Sequence, residues 1–275
     1  MQNPEKVLTM TEKASNNLMN YKTLSIIPLF WREIRLNIFS WYAFVNNFFI
    51  PILHIVMFAY AFSANIKGIY VQGKMVDYIL FFLPGLIGIQ VFQLFATTFS
   101  LVRLDFSTNI LAFICTSASG HIEEYAIGKI GGVTLVAIIK TIPLLIIGAL
   151  LGISSGLNLV NYIYIFLFVI LGGVIWGSIG FILGILIKKE DVRDLLFALL
   201  VTPITFASSA YYATELIPKW ISIISKINPL TFLVDALRSQ FMGTAIKALD
   251  LCVLILLAIV SLIAALMMIR NTSFK

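Results

Sequence analysis

Few residues in this chain can do chemistry, because only 12% are charged. Those that fall inside long apolar runs are therefore informative. Lys140 is the one basic residue well inside such a run, where an ammonium costs about 2.5–3.5 kcal/mol at mid-bilayer. It meets an anionic substrate group, snorkels to an interface or pairs with an acid. Gln90, Gln93, Thr97 and Ser100 recur at helical spacing in one run, and Thr202, Thr205 and Ser209 form a second polar stripe. Polar side chains in lipid need partners or water. Each stripe therefore lines a translocation path or hydrogen-bonds between packed helices. Neither stripe is charged, so an ion pathway is not the first expectation.

Catalytic signatures are absent. No GxxxxGK(S/T) loop is present, so the chain is not expected to bind or hydrolyse ATP. GxSxG and HExxH are also missing. His121 with Glu123 and Glu124 lacks the order and spacing of a zinc helix, and His54 lies in another segment. Cys115 and Cys252 are far apart and form no ligand pattern. No metal, no cofactor and no enzymatic activity are expected in this polypeptide.

The elements that position these residues follow from composition. Of 275 residues, 60% are hydrophobic, against about 45–50% in soluble domains. The excess calls for a bilayer, and spanning segments lacking an alternating barrel pattern must be helices. The fold class expected is an all-α polytopic membrane protein. Six spans are predicted, at about Ala43–Ser63, Tyr78–Ser100, Ile127–Leu151, Tyr162–Ile187, Leu195–Tyr212 and Leu251–Ile269. With the N-terminus inside, twelve Lys/Arg fall on inner segments and six on outer ones, which predicts cytoplasmic termini in the cell membrane. The basic residues sit between apolar runs rather than in one patch, so the net charge of +6 points to anionic lipid and not to nucleic acid.

Residues 1–24 read as a cytoplasmic tail rather than a cleavable signal peptide, and 271–275 as a second tail. Between them, 25–42 reads as an amphipathic interface helix and 43–270 as the membrane domain. In the first of these, Ile27, Phe30, Trp31, Ile34, Ile38 and Trp41 form an apolar stripe, with Arg32 and Glu33 on other faces and Arg35 nearby. Such a helix lies flat in the headgroups with its arginines snorkelling. Residues 101–126 form the longest inner loop, carrying Arg103, Asp105, His121, Glu123 and Glu124. A short helix there, lying across the membrane face, suits docking of a soluble partner. Residues 213–247 are external yet apolar. Pro218 and the Asn228-Pro229 pair are helix-start signals, predicting two short re-entrant helices, with Asp235 and Arg238 paired at i, i+3 on the second. Gly173/Gly177 and Gly180/Gly184 predict close packing of the fourth span. Pro84-Gly85 is the strongest hinge candidate among Pro51, Pro84, Pro143 and Pro203.

Three stretches carry a family resemblance: Tyr78-Ile-Leu-Phe-Phe-Leu-Pro-Gly-Leu, Thr116-Ser-Ala-Ser-Gly-His-Ile-Glu-Glu-Tyr-Ala-Ile-Gly-Lys, and Asn228-Pro-Leu-Thr-Phe-Leu-Val-Asp-Ala-Leu-Arg. In these the chain resembles type-2 ABC transporter permeases, in particular the branch of daunorubicin-resistance and nodulation-factor exporters. The resemblance implies an interface helix, a coupling helix near 104–124 and two re-entrant helices. It also implies a second permease copy, two copies of an ATPase subunit that bind ATP and Mg, and export of an amphipathic or lipid-like substrate. The coupling loop departs from the family in lacking its usual arginine. Export of a lipid-linked polysaccharide or teichoic acid is an alternative, which Tyr211 and Tyr212 keep open. A stand-alone channel, a secondary transporter and an intramembrane enzyme are the readings from other classes.

Overall fold

The computed structural model describes residues 27–39, 41–60, 68–71, 74–108, 122–213 and 218–271. Helix α1 occupies 27–38. A second helical run, α2, follows over 41–60 and is unusual in its winding. Its segments Val45–Phe49 and Ile55–Tyr60 are π-helical, alternating with α-helical Trp41–Phe44 and Ile50–His54. Two short antiparallel strands, β1 (Ile69–Val71) and β2 (Lys74–Val76), form a hairpin at the far end, with Tyr70 opposite Met75. Then come α3 (Tyr78–Phe92) and α4 (Leu94–Ser107), interrupted for one residue at Gln93. The remaining helices are α5 (Ile122–Leu150), α6 (Leu159–Leu186), α7 (Glu190–Phe206), α8 (Lys219–Ile227), α9 (Pro229–Phe241) and α10 (Ala248–Asn271).

Among the described residues, four helical stretches are long and apolar enough to cross a membrane: the α3–α4 run, α5, α6 and α10. Counting α8 and α9 as one broken span, bent by 83°, gives up to five. This is an all-α polytopic membrane protein. Several predicted boundaries move. The second span continues from Ser100 to Ser107, and the third begins at Ile122 rather than Ile127. The predicted inner loop 101–126 therefore shortens to little more than 108–121. Of it, 109–121, with its expected short helix and His121, lies outside the described residues. Amphipathic turns prolong both helices beyond the apolar core, and hydropathy alone does not register them. The fifth predicted span ends its helix at Phe206, and residues 207–212 turn without helix.

Local chemistry starts and stops these helices. Asn158 and Asn161 exchange side-chain to backbone hydrogen bonds of 3.0 Å each way at the start of α6. Asn228 accepts from the Leu230 N–H at 3.0 Å, with Pro229 in the first turn of α9. At the end of α9, Gly243 takes a left-handed φ of 60°. The Thr244 and Gly243 amides there donate back to Ser239 and Gln240 carbonyls.

Helix α6 is the hub, packing on α3, α4, α5, α9 and α10. Its glycines explain how. A Cβ on Gly180 would meet the Phe95 Cα at 2.9 Å, with the Phe95 carbonyl oxygen closer still. One on Gly184 would meet the Val102 Cβ at 2.8 Å, whereas one on Gly177 has its nearest neighbour, the Ile130 Cγ2, at 3.6 Å. The two small-residue pairs are thus unequal. Gly180→Ala is expected to destabilise by about 1–3 kcal/mol through overpacking against backbone. Gly177→Ala should stay within about 1 kcal/mol of the parent, helped by alanine's propensity. Thermal unfolding of both variants in detergent micelles checks this, and equal midpoints would refute the packing argument. Gly85, the hinge candidate, is instead a contact position. Helix α3 runs unbroken through Pro84-Gly85, and a Cβ there would meet the Ala210 backbone carbon at 2.9 Å.

Candidate functional site

Helix α1 lies on a glycine face of α5. A Cβ on Gly128 would meet the Leu29 Cβ at 3.0 Å, and one on Gly132 would meet the Glu33 Cβ at 2.8 Å. The close seat brings Leu29, Glu33 and Asn37 inward, one turn apart, and all three are buried. The apolar stripe divides: Ile27, Trp31 and Trp41 are exposed, while Phe30 packs at Gly131 of α5 and Ile34 and Ile38 pack against the core. Glu33 is therefore corrected from the polar face of a surface helix to a fully buried residue, because its partner lies on α5. Trp31 stacks loosely with Phe39 at 6.2 Å, and Arg35 is exposed.

Around Glu33 four charges converge. The Lys129 ammonium donates to Glu33 Oε1 at 2.7 Å and to Asp105 Oδ2 at 2.8 Å. The Arg32 guanidinium grips Asp105 with both terminal nitrogens, Nη1 reaching Oδ2 at 3.0 Å. The Tyr125 hydroxyl donates to the same carboxylate at 2.8 Å. Two cations balance two carboxylates, and Glu33, Asp105 and Lys129 are each 0% exposed. Burial pushes the Glu33 carboxyl above the usual range, and neighbouring Lys129 opposes that shift. The Arg32 guanidinium is held above its ordinary value chiefly by its hydrogen bonds to Asp105. This cluster joins α1 to the end of α4 and the beginning of α5, the two helices that flank 109–121. Asp105, expected at a partner-facing position, is inside the cluster. Glu123 and Glu124 are part-exposed on the first turn of α5, where Glu123 lies 3.8 Å from Arg270.

Lys140 lies about three turns, or roughly 16 Å, further along α5 than Lys129. It is 7% exposed and has no hydrogen bond or ion pair among the described residues. It lines a cavity of about 340 Å³ with Asn37, Asn46, Asn47, Thr97, Ser100 and Phe197, among others. The polar stripe of the second span therefore divides. Thr97 and Ser100 share this cavity with Lys140, while Gln90 is buried elsewhere and donates to the Asn47 carbonyl at 3.2 Å. Gln93 sits exposed at the interruption between α3 and α4. The second stripe does not meet the first. Thr202 is exposed, Thr205 is buried, and the Ser209 hydroxyl donates to Asp235 at 2.7 Å at the far end.

That far end has its own polar tie. Arg238 pairs with Asp235 at 3.0 Å as predicted, donates to the Ser209 carbonyl at 2.7 Å and stacks 3.8 Å over the Phe81 ring. Asn228 donates to the Ile204 carbonyl at 2.7 Å. Together they hold the end of α7 against α9. Tyr211 stacks on Phe206 at 5.3 Å, and its carbonyl accepts from Tyr78, so it serves packing. Among the described residues no group of three or more His, Cys, Asp and Glu is placed to hold a metal.

A profile of the family described as ABC-2 type transporter matches residues 25–242, from the start of α1 through α9. The chain belongs to the ABC-2 type transporter family. Across 83 residues it is 24% identical to the inner membrane transport permease YadH of Escherichia coli K12, covering 30% of this chain and 32% of that protein. The same figures hold for YadH of Escherichia coli O157:H7 and of Shigella flexneri. The match thus spans about a third of these curated relatives. As an ABC-2 family member with long apolar helices, the chain is a multi-pass membrane protein. Within that frame, the residues to which sequence reading gave no site role are Lys129, Tyr125, Asn46 and Asn47, and Asn37, read as off the apolar stripe, is buried. Lys129 ends the Gly-Lys motif, and Asn46-Asn47 interrupts an apolar run. Both were visible as anomalies, but nothing in the sequence named their partners.

Proposed function

We propose that this chain is the permease subunit of an ATP-driven exporter, carrying an amphipathic or lipid-like substrate and worked by a separate ATPase. The observation that supports it is the buried ion cluster. It locks α1 to both helices that flank 109–121, so a push on that segment reaches α1, α4 and α5 as one body. Coupling requires an element whose arrangement both sites bias. In this reading 109–121 is the cytoplasmic docking loop, with Glu123 and Glu124 beside it, and both termini are cytoplasmic. Two copies of the permease and two of the ATPase form the exporter. ATP and Mg bind the ATPase, and its closure moves the docking loops. The path runs along α4 and α7.

The test is reconstitution in liposomes. The permease alone is expected to hydrolyse no ATP and to move no lipid probe. Addition of the ATPase partner should give ATP-dependent flux of a fluorescent lipid at least tenfold above background. Flux by the permease alone would instead favour a channel or secondary transporter.

A further inference from the structure

We infer that the cavity around Lys140 is a binding site for the anionic headgroup of an amphiphile, a phosphate or carboxylate carried on an apolar tail. This rests on the permease reading above and gives it a substrate class. An ammonium 7% exposed, with no counter-charge among the described residues, is an expensive feature in an apolar bundle. Elsewhere the chain neutralises such charges: Lys129, also buried, holds two carboxylates. The Lys140 lining contains no acidic residue. The space beside it, about 340 Å³, exceeds by roughly tenfold the ~30 Å³ share of one water in the liquid. Polar groups share the cavity wall with the ammonium. The Thr97 and Ser100 hydroxyls donate to the Gln93 and Ala96 carbonyls of their own helix, and the exposed Asn46 amide has no partner among the described residues.

A second cavity indicates how an anion reaches it. About 330 Å³ lies beside the end of α4, lined by Arg103, Lys188, Lys189 and Arg193. The two cavities share Ser100 and Leu101. An anion entering among the four basic residues is thus led one to two turns along α4 to Lys140, from exposed cations to a buried one. The route also has an apolar wall. Phe197 of α7 lines the Lys140 cavity and packs edge-on against Phe99, which lines the basic one, with ring centres 5.4 Å apart. A charged head with an apolar tail satisfies both surfaces, whereas a small free anion uses only one. Helix α7 leans on the bundle through Phe197, Val201 and Ile204, and its other side leaves room for the tail to point into lipid.

The experiment uses the full chain in neutral maltoside micelles, with no ATPase present, so that its failure and a failure of nucleotide coupling are separate results. Dodecyl phosphate is titrated and adducts are counted by native mass spectrometry, with dodecyltrimethylammonium as the opposite-charge probe and inorganic phosphate as the tail-less one. One saturable dodecyl phosphate per chain is expected, with the ammonium probe at least tenfold weaker and inorganic phosphate failing to compete at equal concentration. Lys140→Gln should weaken dodecyl phosphate at least tenfold, and Lys140→Arg should stay within threefold of the parent. Lys140→Gln should also unfold at the same temperature as the parent or higher, since it removes an uncompensated buried charge. Unchanged affinity in Lys140→Gln overturns the site. Equal competition by inorganic phosphate overturns the amphiphile and leaves a plain anion site. The charge selectivity of the unmodified protein reads the proposal even if a variant fails to fold.

Discussion

Lys129→Met is expected to lower the stability of the protein by about 3–5 kcal/mol, the range for removing one partner of a buried ion pair. The ammonium touches two carboxylates that have no exposure of their own. Without it, the Glu33 carboxylate loses its only hydrogen-bonding donor among the described side chains, and Asp105 keeps Arg32 and Tyr125. A buried cluster is weak evidence for stability in itself, because well-packed apolar residues often replace one at no loss. That fact supplies the control. Glu33→Leu combined with Lys129→Met leaves Arg32, Asp105 and Tyr125 as a balanced set, and should recover more than half of the loss. A double-mutant cycle followed by denaturant unfolding in micelles measures the coupling directly. A single-variant loss below about 1 kcal/mol would mean that the four charges are not a unit. With the ATPase partner present, the double variant separates stability from coupling. If the cluster transmits the stroke, the protein should fold while ATP-dependent flux stays low.

Arg238→Met is the second large effect, at about 2–4 kcal/mol. The guanidinium makes a charged hydrogen bond to the Ser209 carbonyl, an ion pair with Asp235 and a face-on contact with Phe81. Only the first and third are well shielded from water, and Asp235 is partly exposed, so its lost partner is replaced in part by solvent. Arg238→Lys keeps the charge but not the planar fork that reaches two acceptors above a ring, and should lose about half as much. Limited proteolysis between α7 and α8 gives a local readout. Faster cleavage in Arg238→Met, with α5 and α6 still protected, is the expected pattern. A variant as stable as the parent would show that α7 is held by its apolar contacts alone.

The long helices were legible because lipid leaves the backbone no alternative. The α8–α9 pair was legible for a different reason: Asn228, Pro229 and the Asp235–Arg238 spacing act over a few residues, and short-range chemistry survives in a linear reading. Glu33 was not legible. Its helix carries an apolar stripe, and periodicity assigns whatever lies off that stripe to water. Nothing local marks Lys129, 96 residues away, as the partner of its carboxylate. The burial of Asp105 met the same obstacle, since its partners come from both α1 and α5. Lys140 stood out as a charge in an apolar run. The asparagines around it did not, because the packing of α1 on α5 and the π-helical winding of α2 decide which of them face inward. The two polar stripes illustrate the converse. Each had the right spacing, yet a one-residue interruption at Gln93 and the early end of α7 at Phe206 send their members to separate places.

The equal count of positive and negative groups joining α1 to α4 and α5 has an electrical consequence. A membrane voltage acts on displaced net charge with about 2.3 kcal/mol per elementary charge per 100 mV. The Arg32, Glu33, Asp105 and Lys129 assembly has none to displace, so sliding it along the field does no electrical work. Movement of this junction therefore adds no voltage dependence of its own to the stroke, and any that is measured belongs to the charges carried elsewhere.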